Sequence, residues 1–261
     1  MSGLPALLAA LEPADGGWRG AITDNWLQGR TAYGGLSTAL ALHAAKRAEP
    51  DLPPLRSAQV SFVGPLAGAV TIRARTLRRG RNAAFVEADV TGEAGLGLRA
   101  MFVFMRDQES AVDHAVATAP PFARPGPGAA VYSGKFKPGA PSFLTNFEFL
   151  DDREGGGNGP EWLRWVRLKE RDGLDPEVEL AVIGDCLPPA ALKLMRSFAP
   201  LSSLTWLLNL LGPAPTTQDG WWLLRAQTDY ARAGSSSQAM GIWSADGTPA
   251  AQQMQSVAIF G

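Results

Sequence analysis

Residues 33–49 read YGGLSTALALHAAKRAE, and this stretch decides the fold of the first half of the chain. Leu36 and Leu40 fall on one face at helical spacing, while the many alanines favour helix and permit close packing. Pro50 follows directly, and proline does not continue a helix. The stretch therefore predicts a helix over residues 34–49 that packs tightly against its surroundings.

Strand-like segments follow this helix, and a similar arrangement returns in the second half. Apolar or alternating runs separated by glycine-containing turns predict four strands at residues 56–64, 69–77, 83–91 and 96–106. The second half carries comparable runs at residues 143–151, 161–170, 202–210, 220–229, 234–244 and 249–260, with a predicted helix at 176–198. The glycine-rich segment 155–159 has the composition of a hairpin turn.

The two halves can be aligned on each other. An offset of 150 residues brings Gly34-Gly35 onto Gly184-Asp185, and an offset of 154 brings Met101 onto Gln255. A repeated helix followed by four strands predicts an α+β architecture, with an antiparallel sheet wrapped around each helix. Edge strands of the two copies are expected to pair into one continuous sheet, since this covers exposed edges.

Proline and glycine interrupt this pattern between the halves. Residues 107–141 contain six prolines and little periodicity, as expected of a linker or an extended crossover. We therefore predict an N-terminal unit at 1–110, a linker at 111–141 and a C-terminal unit at 142–261.

Composition excludes several classes of function. The 261 residues carry a net charge of −1, which argues against nucleic-acid binding. One cysteine excludes a disulfide framework, and two histidines with one cysteine suggest no metal site. No apolar run reaches the length of a membrane span, and no signal peptide is recognisable, so a cytoplasmic location is expected. The arginines between residues 73 and 81 fit a solvated hairpin or a contact with the phosphates of coenzyme A (CoA).

Four segments in this order carry a resemblance to a known family: Tyr33-Gly-Gly-Leu-Ser-Thr-Ala-Leu, Val60-Ser-Phe-Val-Gly-Pro, Leu77-Arg-Arg-Gly-Arg and Met101-Phe-Val-Phe-Met. Over nearly its whole length the chain resembles the double-hotdog acyl-CoA thioesterases of the thioesterase II type, although Gly64 stands where arginine or alanine is common. The resemblance implies two fused hotdog folds, each with a long helix wrapped by an antiparallel sheet. It also implies hydrolysis of acyl-CoA without a cofactor, and a homo-oligomer.

The resemblance further implies a site in the C-terminal hotdog in which an Asp, a Gln and a hydroxyl hold and activate water. The Asp matches Asp185 at the start of the second helix, where the helix dipole would keep it ionised. The Gln matches Gln255 in the last strand. Direct alignment puts Leu201 at the hydroxyl position, and strand parity places Ser203 and Thr205 on its face. A one-residue bulge would instead bring in Ser202.

Glycines at the predicted helix starts complete the candidate site. Gly34, Gly35 and Gly184 would let a substrate approach the backbone closely, and N–H groups at a helix start could stabilise an oxyanion. The first copy has Gly35 and Met101 where the second has Asp185 and Gln255. This asymmetry is expected if only one copy carries the site.

Simpler interpretations stay open for the same residues. Asp185 could be merely a helix N-cap or first-turn acid, and Gln255 a solvent-facing residue on an alternating strand. Cys186 lacks a placed histidine partner and fits a buried structural thiol, while His43 is expected in the core and His114 at the surface. Six tryptophans in the second half could be core anchors or line an acyl tunnel: Trp162, Trp165, Trp206, Trp221, Trp222 and Trp243.

Two other functions fit the same fold. A hotdog hydratase or dehydratase would act on enoyl or hydroxyacyl thioesters, but that chemistry uses a catalytic histidine paired with an acid. A non-catalytic acyl-thioester binder would need no base at all.

Overall fold

A computed structural model describes residues 2–124, 126–132, 139–150, 159–197, 199–212 and 216–260. Its helices are α1 (Leu4–Ala9), α2 (Gly34–Ala48) and α3 (Pro176–Gly184). The strands of the first half are β1 (Glu12–Ala14), β2 (Gly17–Ile22), β3 (Leu27–Gln28), β4 (Thr31–Ala32), β5 (Leu55–Phe62), β6 (Gly68–Arg79), β7 (Ala83–Gly92) and β8 (Gly95–Met105). Those of the second half are β9 (Val131–Tyr132), β10 (Phe147–Leu150), β11 (Glu161–Leu168), β12 (Leu201–Leu210), β13 (Trp222–Arg232), β14 (Ser235–Ser244) and β15 (Pro249–Ile259).

One antiparallel sheet runs through the described residues. Its strand order is β1-β2-β6-β7-β8-β5-β12-β15-β14-β13-β11-β10-β9. The order β2-β6-β7-β8-β5 is repeated from the other side as β11-β13-β14-β15-β12, so the two copies meet edge to edge. At that seam β5 pairs with β12, with Val60 opposite Trp206. The predicted α+β class and the continuous sheet are confirmed.

Helix α2 is the buried centre of the first copy, for the reason that its sequence suggested. Leu36 and Ala39 are fully buried, and the facing strands present the small side chains Ala84, Ala88 and Ala100. Small residues on both sides let the helix lie close to the sheet.

The second central helix is shorter than predicted. Helix α3 ends at Gly184, whereas the prediction extended to residue 198. Pro188 and Pro189 follow, and the chain continues as a 3₁₀ helix at Ala190–Leu194. Proline cannot supply the N–H groups that a longer helix needs, so only the first copy has a long helix.

The repeat offsets also need correction. Since α2 begins at Gly34 and α3 at Pro176, the offset of 150 that aligned Gly34 with Gly184 is wrong. The offset of 154 is one residue out of phase at the last strands, because Met101 lies between buried neighbours on the outer face whereas Gln255 faces inward.

The two central helices run antiparallel and are tied at both ends. At one end Lys46 of α2 contacts Asp175 and donates to Glu177 at 2.7 Å. At the other end the Tyr33 hydroxyl donates to the carbonyl of Val182 at 2.6 Å. This pairing brings the end of α3 beside the beginning of α2, where the candidate site lies.

Residues 117–123 of the segment between the copies lie against the second half. The indole of Trp243 donates to the carbonyl of Ala117 at 2.8 Å, and that of Trp165 donates to Ala123 at 2.6 Å. Both tryptophans thus anchor an extended crossover. The proposed boundaries 1–110, 111–141 and 142–261 stay a prediction, and residues 151–158, with most of the predicted hairpin turn, lie outside the described residues.

Among the residues described, no helix is long and apolar enough to cross a bilayer. The same residues contain no group of three or more His, Cys, Asp or Glu side chains that could hold a metal ion.

Candidate active site

A cavity of about 370 Å³ lies where the two copies meet. The first copy contributes strand β4, the start of α2 and the loop after β5, and the second contributes the end of α3 and the start of β12. The described residues that line it include Thr31, Gly34, Ser37, Phe62, Asp185, Pro189, Leu201, Ser202 and Ser203. Residues that are far apart in the sequence therefore line the same cavity.

Asp185 is the acid of this cavity, but it sits differently from the prediction. It is the residue that ends α3, not one that begins a helix. The positive helix end that it meets belongs to α2, whose Gly35 N–H donates to its carboxylate. Tertiary packing, not its own helix, thus supplies the favourable dipole.

Burial changes the protonation of Asp185. Burial raises the pKa of the carboxyl group to about 7, although the hydrogen bonds from Gln255 and from Gly35 N–H oppose the shift. Removing water penalises the charged form more than two donors can compensate. Burial thus outweighs the dipole that was expected to keep the group ionised, and the pKa of the Asp185 carboxyl group lies well above that of an ordinary aspartate.

Gln255 lies directly behind Asp185. Its side-chain N–H donates to Asp185 Oδ1 at 2.8 Å, and the residue is 2% exposed. The interpretation as a solvent-facing glutamine is wrong. The two groups touch, so a water cannot be held between them and must meet Asp185 from the cavity side.

The three candidate glycines have different surroundings. A side-chain carbon at Gly34 would come within 2.6 Å of Asp185 Oδ2 and 2.9 Å of Phe62, so only glycine permits this approach. At Gly35 the same atom would meet the Tyr33 ring at 2.6 Å. Gly184 packs between Gln253 and Trp206 and is not among the described cavity residues, which corrects its predicted role in substrate contact.

A β-bulge separates the two candidate hydroxyls. The register of β12 against β15 shifts between Ser203 and Thr205. Ser203 is opposite the inward-facing Val257 and lines the cavity, whereas Thr205 is opposite Ser256 and lies on the outer face of the sheet. Strand parity across this segment was therefore wrong. A bulge forms, as one alternative required, but it leaves Ser203 as the inward serine, while Ser202 is exposed although it also lines the cavity.

Comparison with known proteins shows which family the sequence belongs to. Residues 22–105 match the family model of the acyl-CoA thioesterase N-terminal domain, and residues 112–259 match that of the acyl-CoA thioesterase C-terminal domain. The chain belongs to the acyl-CoA thioesterase family.

Solved structures share the whole fold of this acyl-CoA thioesterase family member. A hotdog protein of unknown function from Alicyclobacillus acidocaldarius has a TM-score of 0.84 at 18% identity, with coverage of 100% of this chain and 99% of the other. A candidate thioesterase II from Thermobifida fusca YX has a TM-score of 0.80 at 21% identity, covering 100% and 98%. The tesB protein of Mycobacterium avium subsp. paratuberculosis has a TM-score of 0.78 at 16% identity, covering 99% and 98%. These identities show the double hotdog fold alone. No curated protein matches the sequence significantly.

The remaining candidates lie outside the cavity that holds Asp185. Cys186 is buried, and burial raises the pKa of its thiol well above the usual range, so it stays neutral. His43 is half-buried on α2, and His114 is exposed. Among the described cavity residues none is a histidine or a tryptophan.

Sequence reasoning missed Gln238. This residue of β14 is fully buried and bonds Gln255 Oε1 at 2.7 Å. A polar residue at every second position, Ser236 and Gln238, was the available signal. Without the inward direction of the strand it could not be distinguished from a solvent-facing pattern.

Proposed function

We propose that this protein hydrolyses acyl-CoA thioesters to a free carboxylic acid and CoA, with Asp185 as general base. The observation that carries the proposal is a carboxyl group with a pKa of about 7 that faces a cavity and is held from behind by Gln255. A base works best when its pKa lies near the working pH, because it is then both available and strong enough.

The proposed reaction needs only groups of this chain and one water. Water attacks the thioester carbonyl carbon while Asp185 takes its proton, and the carbonyl electrons move to oxygen. The first turn of α2 begins at Gly34 in the cavity wall, so its positive end can stabilise that oxyanion. Collapse breaks the carbon–sulfur bond, and the leaving thiolate takes the proton from Asp185.

Ser203 is the hydroxyl that we propose for orienting the water. It lines the cavity together with Asp185, which Thr205 does not. A hydroxyl can donate and accept at once, so it can hold the water without competing for its proton.

A hydrolysis assay tests the proposal. Purified protein is given acyl-CoAs of graded chain length, and free thiol is measured. We expect turnover with at least one chain length and a loss of roughly 10²–10⁴-fold in Asp185→Asn, the range of general-base catalysis. Binding of acyl-CoA without turnover would instead indicate the non-catalytic binder.

Two hydroxyl variants sharpen the test. Ser203→Ala is expected to lower kcat by about tenfold or more, because one hydrogen bond to the water is lost. Thr205→Ala is the matched control and should keep full activity. Equal losses in both variants would contradict the role of Ser203. Crotonyl-CoA should not be hydrated, since neither His43 nor His114 lines the cavity.

A further inference from the structure

A chain of buried amides runs from the backbone to Asp185. The N–H of Ala190 donates to Gln238 Oε1 at 2.9 Å, Gln238 Nε2 donates to Gln255 Oε1 at 2.7 Å, and Gln255 Nε2 donates to Asp185 Oδ1 at 2.8 Å. Gln238 is 0% exposed and Gln255 is 2% exposed. The first two links are therefore shielded from water, and the last one is partly buried where Asp185 reaches the cavity.

The direction of this chain is fixed at its first link. A backbone N–H can only donate, so Gln238 must turn its oxygen towards Ala190 and its amide nitrogen towards Gln255. Gln255 must then turn its own nitrogen towards Asp185. Rotating either amide by half a turn would bring two donors or two acceptors together in a buried place, which is costly.

This direction distinguishes the two oxygens of Asp185. Oδ1 accepts the hydrogen bond from Gln255 Nε2. Oδ2 lies on the side of Gly34, which lines the cavity. A proton taken from the cavity is therefore received by Oδ2, while Oδ1 keeps its donor in both protonation states.

We propose that Gln238 is a positioning residue, which aligns Gln255 and thereby directs the proton-accepting oxygen of Asp185 towards the cavity. The inference rests on the proposed function, because the proton in question is that of the attacking water. Gln238 does not touch the reacting atoms and acts through Gln255.

The other copy supports a role beyond packing. Inward positions on β7 and β8, which correspond to β14 and β15, are apolar: Val86, Ala88, Val90, Leu98, Ala100 and Phe102. The same sheet position can thus be filled without polar groups. Buried polar residues at Gln238 and Gln255 occur in the copy that holds Asp185.

The test is Gln238→Met, which keeps an unbranched side chain of similar size and removes both polar atoms. We expect kcat to fall by about tenfold or more while KM changes little, because substrate contacts are intact. The midpoint of the pH–rate profile should move to higher pH, since a weakened Gln255 bond no longer favours the ionised form. Other titratable neighbours of Asp185 are Tyr33 and Cys186, and burial raises the pKa of both, so they remain neutral in this range.

Gln253→Met is the matched control. Gln253 is also a buried inward glutamine, 6% exposed. Its side-chain oxygen accepts a hydrogen bond from the Trp206 indole at 2.9 Å, so it is not part of the series of amides that leads to Asp185. The Gln253→Met variant should be less stable than the wild type, but the midpoint of its pH–rate profile should be unchanged. An equal shift in both variants, or a folded Gln238→Met with unchanged kcat and midpoint, would overturn the proposal. Gln238→Leu serves the same purpose if Met prevents folding, because a leucine side chain likewise cannot donate to Gln255.

A carboxyl ¹³C titration of Asp185 by NMR separates this inference from the proposed function. The Asp185→Asn spectrum identifies the resonance. One outcome is that the wild type hydrolyses no thioester while the midpoint of the Asp185 titration still rises in Gln238→Met. In that case the positioning role of Gln238 is supported and the proposed hydrolysis is contradicted. If the wild type is active and the midpoint stays, only the inference fails.

Discussion

At the scale of single residues, Asp185 has the most unusual environment in the cavity. Two donors favour its charged form, and burial opposes it, with burial as the larger effect. The result is a carboxyl group that exchanges its proton near pH 7. An ordinary surface aspartate, ionised far below neutral pH, would be a much weaker base.

The first residue-scale prediction concerns pH and activity. Because the base must be ionised, kcat/KM is expected to rise with pH and level off above a midpoint near 7. The measurement is a pH–rate profile with a substrate that does not itself titrate. A flat profile between pH 5 and 9 would contradict Asp185 as the base.

The second residue-scale prediction concerns how the stability of the fold depends on pH. The pKa of Asp185 is raised from 3.8 in the unfolded chain to about 7 in the folded protein. The contribution of this carboxyl group to the free energy of unfolding is therefore fully favourable below the unfolded-state pKa and is lost as the pH rises through the folded-state pKa. The Asp185→Asn variant should therefore gain stability relative to wild type between about pH 4 and pH 7, and no further above. The gain is at most roughly 4 kcal/mol, and less because the cavity admits water. Urea unfolding of both proteins across this window measures it.

At the scale of elements, the meeting of two helix ends builds the site. Helix α2 follows from the sequence because its periodicity, alanine content and closing proline all agree. Helix α3 was predicted too long, since the apolar run after Asp185 continued the pattern while Pro188 and Pro189 ended it. The bulge in β12 could not be located, because it depends on pairing with β15.

Gly34→Ala tests this meeting of helix ends. The added carbon would lie 2.6 Å from Asp185 Oδ2, so the carboxylate must move, and a shift of about 1 Å can cost on the order of 10²-fold in rate. Stability should fall as well, because the added carbon also lies 2.9 Å from the Phe62 ring, and the higher helix propensity of alanine offsets only part of this clash. Activity and thermal unfolding are measured together with Gly212→Ala, where the added carbon meets nothing within 4 Å. Retained activity in Gly34→Ala would contradict the geometry.

At the scale of the whole molecule, the seam between β5 and β12 makes the two copies one body. The pairing extends from Ser57 with Asn209 to Ser61 with Thr205, and the cavity lies beside it with walls from both copies. An unpaired β5 would expose backbone groups along its free edge.

Separating the copies tests this dependence. Residues 1–110 expressed alone are expected to self-associate or precipitate through β5, whereas co-expression with residues 111–261 should give a soluble one-to-one complex. Size-exclusion chromatography with light scattering distinguishes these outcomes. A folded, monomeric 1–110 fragment would show that the seam is not needed for the first copy.

The sequence by itself determined the α+β class, the positions of most strands, helix α2, the double hotdog resemblance, and Asp185 and Gln255 as candidates. The class, the strands and helix α2 depend on periodicity and turn residues, which are encoded locally, whereas Asp185 and Gln255 became candidates only through the family resemblance. Only the tertiary structure decided that Asp185 faces the start of α2, that Ser203 and not Thr205 turns inward, and that Gln238 supports Gln255. Proton affinity, strand register and amide direction depend on burial and on partners far away in the chain, so no local pattern can specify them.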